Sequence, residues 1–432
     1  MRILHLIDPA GPGGGPCTLK LLAETVSRAA GHHDVVVFGT GEHLDLARRC
    51  GITPRGRIGA ALNRPVLARA ALATLLNAGQ RSGGRYDLIH AWTLGSAVAA
   101  VRAARGQPVL ATAAACAVRW PADLRVLARH RVPVLAATAH VQAGLVAAGY
   151  PREVVSVLTP AVDPGSIAME QRRLLRASWD ADETTYVVAL LTEPVQIADN
   201  VHAINAAARA LLTGKDVRIV VHHGAAPLRL RLEMSAAGLR DLIIVDDRVV
   251  EPWRIVAGLD LAMAIHRAPR LEARRSWGVQ VRGAVPVLHM LPGPAPEPYP
   301  RMTPLIWATA AGVPVIAEDQ YAGDWIEEGR TGLLTSTADY NRTAARILDL
   351  YDNPALARRI TAEAQAQVET RFSPDLFVGR LAVAWDQARR REAVVLPEDE
   401  VARVVERRTT GELVRLGRTR STVPPGAQGV AR

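Results

Sequence analysis

Short apolar runs alternate with helical stretches twice along this chain, and few folds accept that pattern. In the first round the runs are Ile3–Ile7, Asp34–Phe38, Asp87–Ala91, Pro108–Ala111, Pro133–Ala137 and Val154–Leu158. Short runs without polar alternation are the strands of parallel sheets, buried on both faces. Stretches of helical period lie between them. One is Thr18–Ala30, with Gly31 placed to end it. After a polar stretch at Asp163–Glu183 the pattern restarts, with runs at Thr185–Leu191, Val217–His222, Leu242–Val245, Leu259–Ala262, Val285–His289 and Val313–Ala317. Strand–helix alternation of this kind predicts two doubly wound α/β domains, joined near residues 160–180.

Composition agrees with a globular chain of that size. The 432 residues are enough for two or three domains. With 49% hydrophobic and 22% charged residues, wholesale disorder, a collagen repeat and a disulfide scaffold are excluded. No apolar run approaches the roughly 20 residues that span a bilayer, so no transmembrane segment is expected. The stretch Ile3–Ile7 is too short for a signal peptide. Cysteine is confined to Cys17, Cys50 and Cys116, without metal-ligand spacing, which fits a reducing cytoplasm and predicts no metal site.

The net charge of +10 comes almost entirely from arginine, since Lys20 and Lys215 are the sole lysines. Half of the excess lies in Arg407–Arg432, six Arg against Glu412. An arginine and alanine bias of this kind is compositional, so nucleic acid is not an expected partner. The end of the chain reads as a short helix at Pro397–Arg408 followed by a disordered basic stretch. Residues 267–303, rich in Arg, Pro and Gly, read as a long functional or mobile loop.

Between the first run and the first helix stands Asp8–Pro16, DPAGPGGGP. Glycines there let backbone N–H groups approach an anion at a helix N-terminus. This is not the dinucleotide fingerprint, because Pro16 replaces its third glycine.

With that loop, four further segments recur in the same order in one family: Tyr86–Trp92, Val155–Pro164, Ala257–Ala264 and Pro304–Leu334. The chain resembles the family 4 glycosyltransferases, retaining enzymes that use nucleotide-sugars, over roughly residues 1–390. The resemblance implies the glycosyltransferase B fold: an α/β architecture of two Rossmann-like doubly wound domains facing across a cleft. It implies an acceptor domain over 1–165 and a nucleotide-sugar domain over 166–373. A helix over 374–392 would cross back to the first domain, and 393–432 would be the tail. Gly13, Gly14 and Gly15 would form the phosphate-side loop, with His90 facing the acceptor. Thr303, as N-cap before Pro304, would present the N-terminus of a helix that ends at Gly312. Arg301 would supply charge to the diphosphate, and Trp307 and Asp324 would lie at the donor. No residue is assigned the bond-making step. The nucleotide-sugar is a co-substrate, and no cofactor is expected.

The family pattern fails at several positions. Its Glu-x7-Glu pair falls on Tyr299 and Trp307, its lysine on Asp199 and the histidine of its Thr-x-His on Ala114. Two readings follow. In the first the protein transfers a sugar from a nucleotide-sugar, with retention, to an unidentified glycan or lipid-linked acceptor, with peripheral membrane contact. In the second it is an inactive homologue that binds a glycan, a nucleotide or a partner enzyme, and Trp307 fills the vacated site.

Overall fold

The computed structural model describes residues 1–10, 14–59, 65–104, 106–114, 121–191, 204, 206–210, 213–222, 243–246, 251–265, 303–318, 322, 324–336 and 339–396. The first sheet contains β1 (Arg2–Ile7), β2 (His32–Phe38), β3 (Gly56–Ile58), β4 (Leu88–Ala91), β5 (Val109–Ala113), β6 (Val134–Ala136) and β7 (Val155–Val157). Its order is β3-β2-β1-β4-β5-β6-β7, with every pair parallel. The helices of this lobe are α1 (Pro16–Arg28), α2 (Gly41–Arg49), α3 (Pro65–Gly83), α4 (Leu94–Ala103), α5 (Pro121–Arg129) and α6 (Ala139–Ala147).

The second sheet repeats the plan. It contains β8 (Tyr186–Leu190), β9 (Val217–His222), β10 (Ile243–Asp246), β11 (Leu261–Ala264), β12 (Val315–Glu318) and β13 (Leu333–Thr335). Its order is β10-β9-β8-β11-β12-β13, again parallel throughout. Among the described residues its helices include α7 (Arg172–Ser178), α8 (Pro252–Ile255), α9 (Thr303–Ala310), α10 (Tyr340–Asp352) and α11 (Pro354–Arg371), and α12 (Pro374–Arg389) follows them in the chain. Each sheet reverses its winding once, between β1 and β4 and between β8 and β11. Ligands of doubly wound sheets bind outside the strand ends at such switch points.

Two short strands, Gly56–Ile58 and Leu333–Thr335, escape the sequence pattern. Three residues are too few to show a period. The run at Leu259–Ala262 moves to Leu261–Ala264, because Leu259 closes a turn on Val256 and the Asp260 carboxylate pairs with Arg172 and Arg176. The runs at 285–289 and the helix at 397–408 lie outside the described residues. Helix α1 starts at Pro16, which suits a first helical turn, and stops at Arg28 rather than Ala30. Gly31 serves the turn into β2 instead, at φ +123°, where a Cβ would stand 2.6 Å from the Met1 carbonyl.

Apolar side chains form three clusters. One belongs to the outer face of the first sheet and one to that of the second. The third unites both sheets, from Ile3, Leu88 and Leu110 to Val187, Ala262 and Val315. Helix α12 buries Phe377, Leu381, Ala384, Trp385 and Ala388 in that shared cluster. It packs on α1, β4 and β5 of the first lobe. The chain continues in contact beyond it: Val394 and Leu396 are buried, and Ser156 Oγ donates to the Val394 carbonyl at 2.6 Å. Residues 393–396 are thus packed chain, not the start of a tail, because two apolar side chains find core sites there.

Candidate functional site

The glycine loop ends in a buried pair. Gly14 and Gly15 are both buried, and Gly15 is the N-cap of α1 with an extended backbone and no side-chain cap. No acidic residue occupies the first turn of α1. This 13-residue helix therefore carries its N-terminal dipole uncompensated by a carboxylate of its own. Gly13 lies outside the described residues, as do Arg301, Tyr299 and Asp199.

His90 does not face the cleft. Its ring is fully buried, and both nitrogens are used within the protein. Trp385 Nε1–H donates to His90 Nδ1 at 3.2 Å. The neutral ring then carries its proton on Nε2, which donates to Thr112 Oγ1 at 2.8 Å. Burial lowers its pKa to about 3. An acceptor finds no open nitrogen on it, so the expectation of an acceptor contact fails: α12 covers the ring.

Two further histidines that the sequence reading passed over share this site. Trp92 Nε1–H donates to His5 Nδ1 at 3.1 Å, and His5 Nε2 lies 3.0 Å from His33 Nδ1. The chain ends on the Ala30 carbonyl, 3.4 Å from His33 Nε2. The signal available was an imidazole, His5, inside an otherwise apolar strand.

Helix α9 carries Trp307. The helix begins at Thr303 itself, so Thr303 is its first residue rather than its cap. Assignments of helix ends shift by a residue or so. The end is as expected: Gly312 takes φ +76°. Its N–H bonds the Thr309 carbonyl, and that of Val313 bonds Ala308, the paired closure that favours glycine. Trp307 is 2% exposed, and its ring centroid lies 5.4 Å from that of Trp253. Its indole N–H is buried without an acceptor among the described residues. A carboxylate would accept hydrogen bonds at this position, whereas an indole can only donate one.

Asp324 spans the lobes. Its Oδ2 accepts the backbone N–H of His140, the second residue of α6, at 3.3 Å. The next N–H, of Val141, goes to Thr138 Oγ1 at 3.0 Å. Asp324 therefore adds to the cap of a helix in the other lobe. Burial raises its pKa, partly offset by the N–H groups that begin α6 and by Arg371. The His140 ring is half-buried, and burial lowers its pKa.

A second contact joins the lobes. Arg49, at the end of α2, donates from Nε to Glu251 Oε1 at 3.0 Å. The Glu251 side chain is 4% exposed. Burial and the nearby Glu251 charge push the Cys50 thiol up to about 12, so it is no nucleophile at neutral pH. Two buried carboxylates also stand at strand ends in the second lobe. Asp246 accepts Trp179 Nε1–H at 2.9 Å, and Glu318 ends β12. Among the described residues, no three metal-ligating side chains converge, and no helix is long and apolar enough to cross a membrane.

No family model matches the chain, and no curated protein matches its sequence. Solved structures do match in shape. HepE of Anabaena, in complex with UDP and glucose, superimposes with a TM-score of 0.68 at 19% identity, covering 88% of this chain and 98% of that one. The fold is the glycosyltransferase B fold. A glycosyltransferase from Rickettsia africae gives a TM-score of 0.66 at 14% identity, over 90% of this chain and 98% of that one. Sucrose-phosphate synthase of Thermosynechococcus elongatus gives 0.65 at 16%, over 90% and 99%. In the glycosyltransferase B fold, two parallel sheets present their strand ends to each other. Gly14, Gly15, Asp246, Glu318 and the N-terminus of α6 all stand at such ends here.

Proposed function

We propose that the protein is a glycosyltransferase that takes a sugar from a nucleotide-sugar and passes it, with retention, to an unidentified glycan or lipid-linked acceptor. The observation that carries this reading is the agreement of both sheets and nearly the whole chain with HepE, which was solved with UDP and glucose. The nucleotide-sugar binds the second lobe, against the strand ends of β8–β13 and the N-terminus of α9. Arg301 and the helix dipole meet the diphosphate, and the uncapped end of α1 faces it from the first lobe. The acceptor enters on the side of the first lobe, and the chain works in the cytoplasm.

A second reading rests on Trp307. Its buried ring against Trp253 occupies a position where the family resemblance implies a carboxylate for the ribose. That favours an inactive homologue that binds a ligand or partner without transfer. Thermal unfolding with UDP, GDP, ADP and their common sugar conjugates separates the two. A ligand at 100 times its dissociation constant stabilises by about 2.7 kcal/mol. The transferase reading expects one nucleotide class to raise the melting temperature, and Arg301→Ala to reduce that shift. No shift with any nucleotide at millimolar concentration sinks it.

A further inference from the structure

Two carboxylate contacts between the lobes, Arg49–Glu251 and Asp324–His140, stand in register with each other. In the first sheet, α2 follows β2 and α6 follows β6, four strand positions apart in the order β2-β1-β4-β5-β6. In the second sheet, Glu251 follows β10 and Asp324 follows β12, four positions apart in β10-β9-β8-β11-β12. At 4.8 Å per strand, both separations are about 19 Å. The contacts therefore bracket the same span on both lobes. Between them lie the ends of β1, β4 and β5 on one side and of β9, β8 and β11 on the other. These include both switch points.

We propose that Arg49–Glu251 and Asp324–α6 are a matched pair of clasps that hold the cleft closed from its two flanks. Each is a carboxylate of the second lobe, buried at Glu251 and half-buried at Asp324, met by a donor of the first: a guanidinium in one case, the His140 N–H at a helix terminus in the other. A carboxylate taken out of water is costly unless donors meet it. Opening must therefore expose both carboxylates, and release of one flank leaves the other as a hinge. The Asp324 clasp is tied to the crossing point of the chain as well. Arg371 donates to the Asp324 carbonyl at 3.3 Å, and the next residue, Phe372, accepts the Val162 N–H at 3.0 Å. The proposal holds whether or not the protein transfers a sugar, and its test uses no nucleotide.

The test compares the full chain with Asp324→Ala, Asp324→Asn, Glu251→Gln and the Asp324→Ala/Glu251→Gln double variant. Amide exchange is read for the peptide containing residues 139–142, and the radius of gyration by small-angle scattering. Loss of a helix cap is worth about a tenfold change in local opening, so Asp324→Ala exchanges those amides about tenfold faster. Asp324→Asn, which keeps an acceptor oxygen, restores most of the protection. The double variant has a larger radius of gyration than either single one, with core strands β1 and β8 still protected. Wild-type exchange in Asp324→Ala, or a double variant as compact as the parent, overturns the proposal. If the alanine variant does not fold, Asp324→Leu, which keeps the bulk and removes the acceptor, takes its place alone and combined with Glu251→Gln, with the same outcomes.

Discussion

Trp385 holds His90 in one tautomer, and that contact governs how the first lobe responds to acid. Protonation would put a proton on Nδ1, against the indole N–H that now donates to it. The folded imidazole stays neutral down to about pH 3, while the unfolded one titrates at 6.5. Between those values the unfolded chain binds the extra proton. Stability is therefore complete above pH 6.5 and falls as the pH drops through the window, by about 1.4 kcal/mol per pH unit from this residue. His5 and His33, also lowered by burial, add in the same direction. Urea unfolding at pH 7, 6 and 5 measures the slope, and His90→Gln reduces it. A pH-independent stability would mean that the rings are not the neutral acceptors described. Steric fit gives a second expectation at this scale. A Cβ on Gly332 would stand 2.7 Å from Ile326 Cγ2 and 2.8 Å from Val315 Cγ2, so Gly332→Ala costs about 1–3 kcal/mol.

Helices and strands were the legible level of this sequence. Apolar runs found nearly every described strand, because a parallel strand buried on both faces has no alternative pattern. The helix ending at Gly312 was legible from its glycine. The roles of His90 and Asp324 were not, because each depends on a partner far along the chain: Trp385 for one, the start of α6 for the other. No local period encodes a contact between residues 90 and 385. Helix α12 shows the cost of such long-range dependence. Its Trp385 is 1% exposed and touches His5, His33 and His90. Trp385→Ala is expected to destabilise by about 3–5 kcal/mol. Trp385→Phe keeps most of the bulk and removes the N–H that His90 accepts, for about 1–2 kcal/mol. Chemical denaturation of the two variants reads both numbers. No loss in the phenylalanine variant would show that packing alone holds the helix.

At the scale of the molecule, residues 1–396 form one compact unit. Ending the chain after Leu396 should leave the melting temperature unchanged within a degree or so, whereas ending it after Glu392 removes the buried Val394 and Leu396. Burial of a Val or Leu side chain is worth about 1.5–3 kcal/mol, so the shorter form melts several degrees lower. Equal melting temperatures would mean that residues 393–396 do not support the fold.

The course of α12 also bears on how the protein is made. The first lobe takes its final helix from the other end of the chain, after the whole second lobe. During synthesis, β1 to β7 emerge long before the residue that caps His90. The nascent first lobe therefore waits with Trp92 and three imidazoles open on one face until the ribosome has passed Leu396, and only then can its core close.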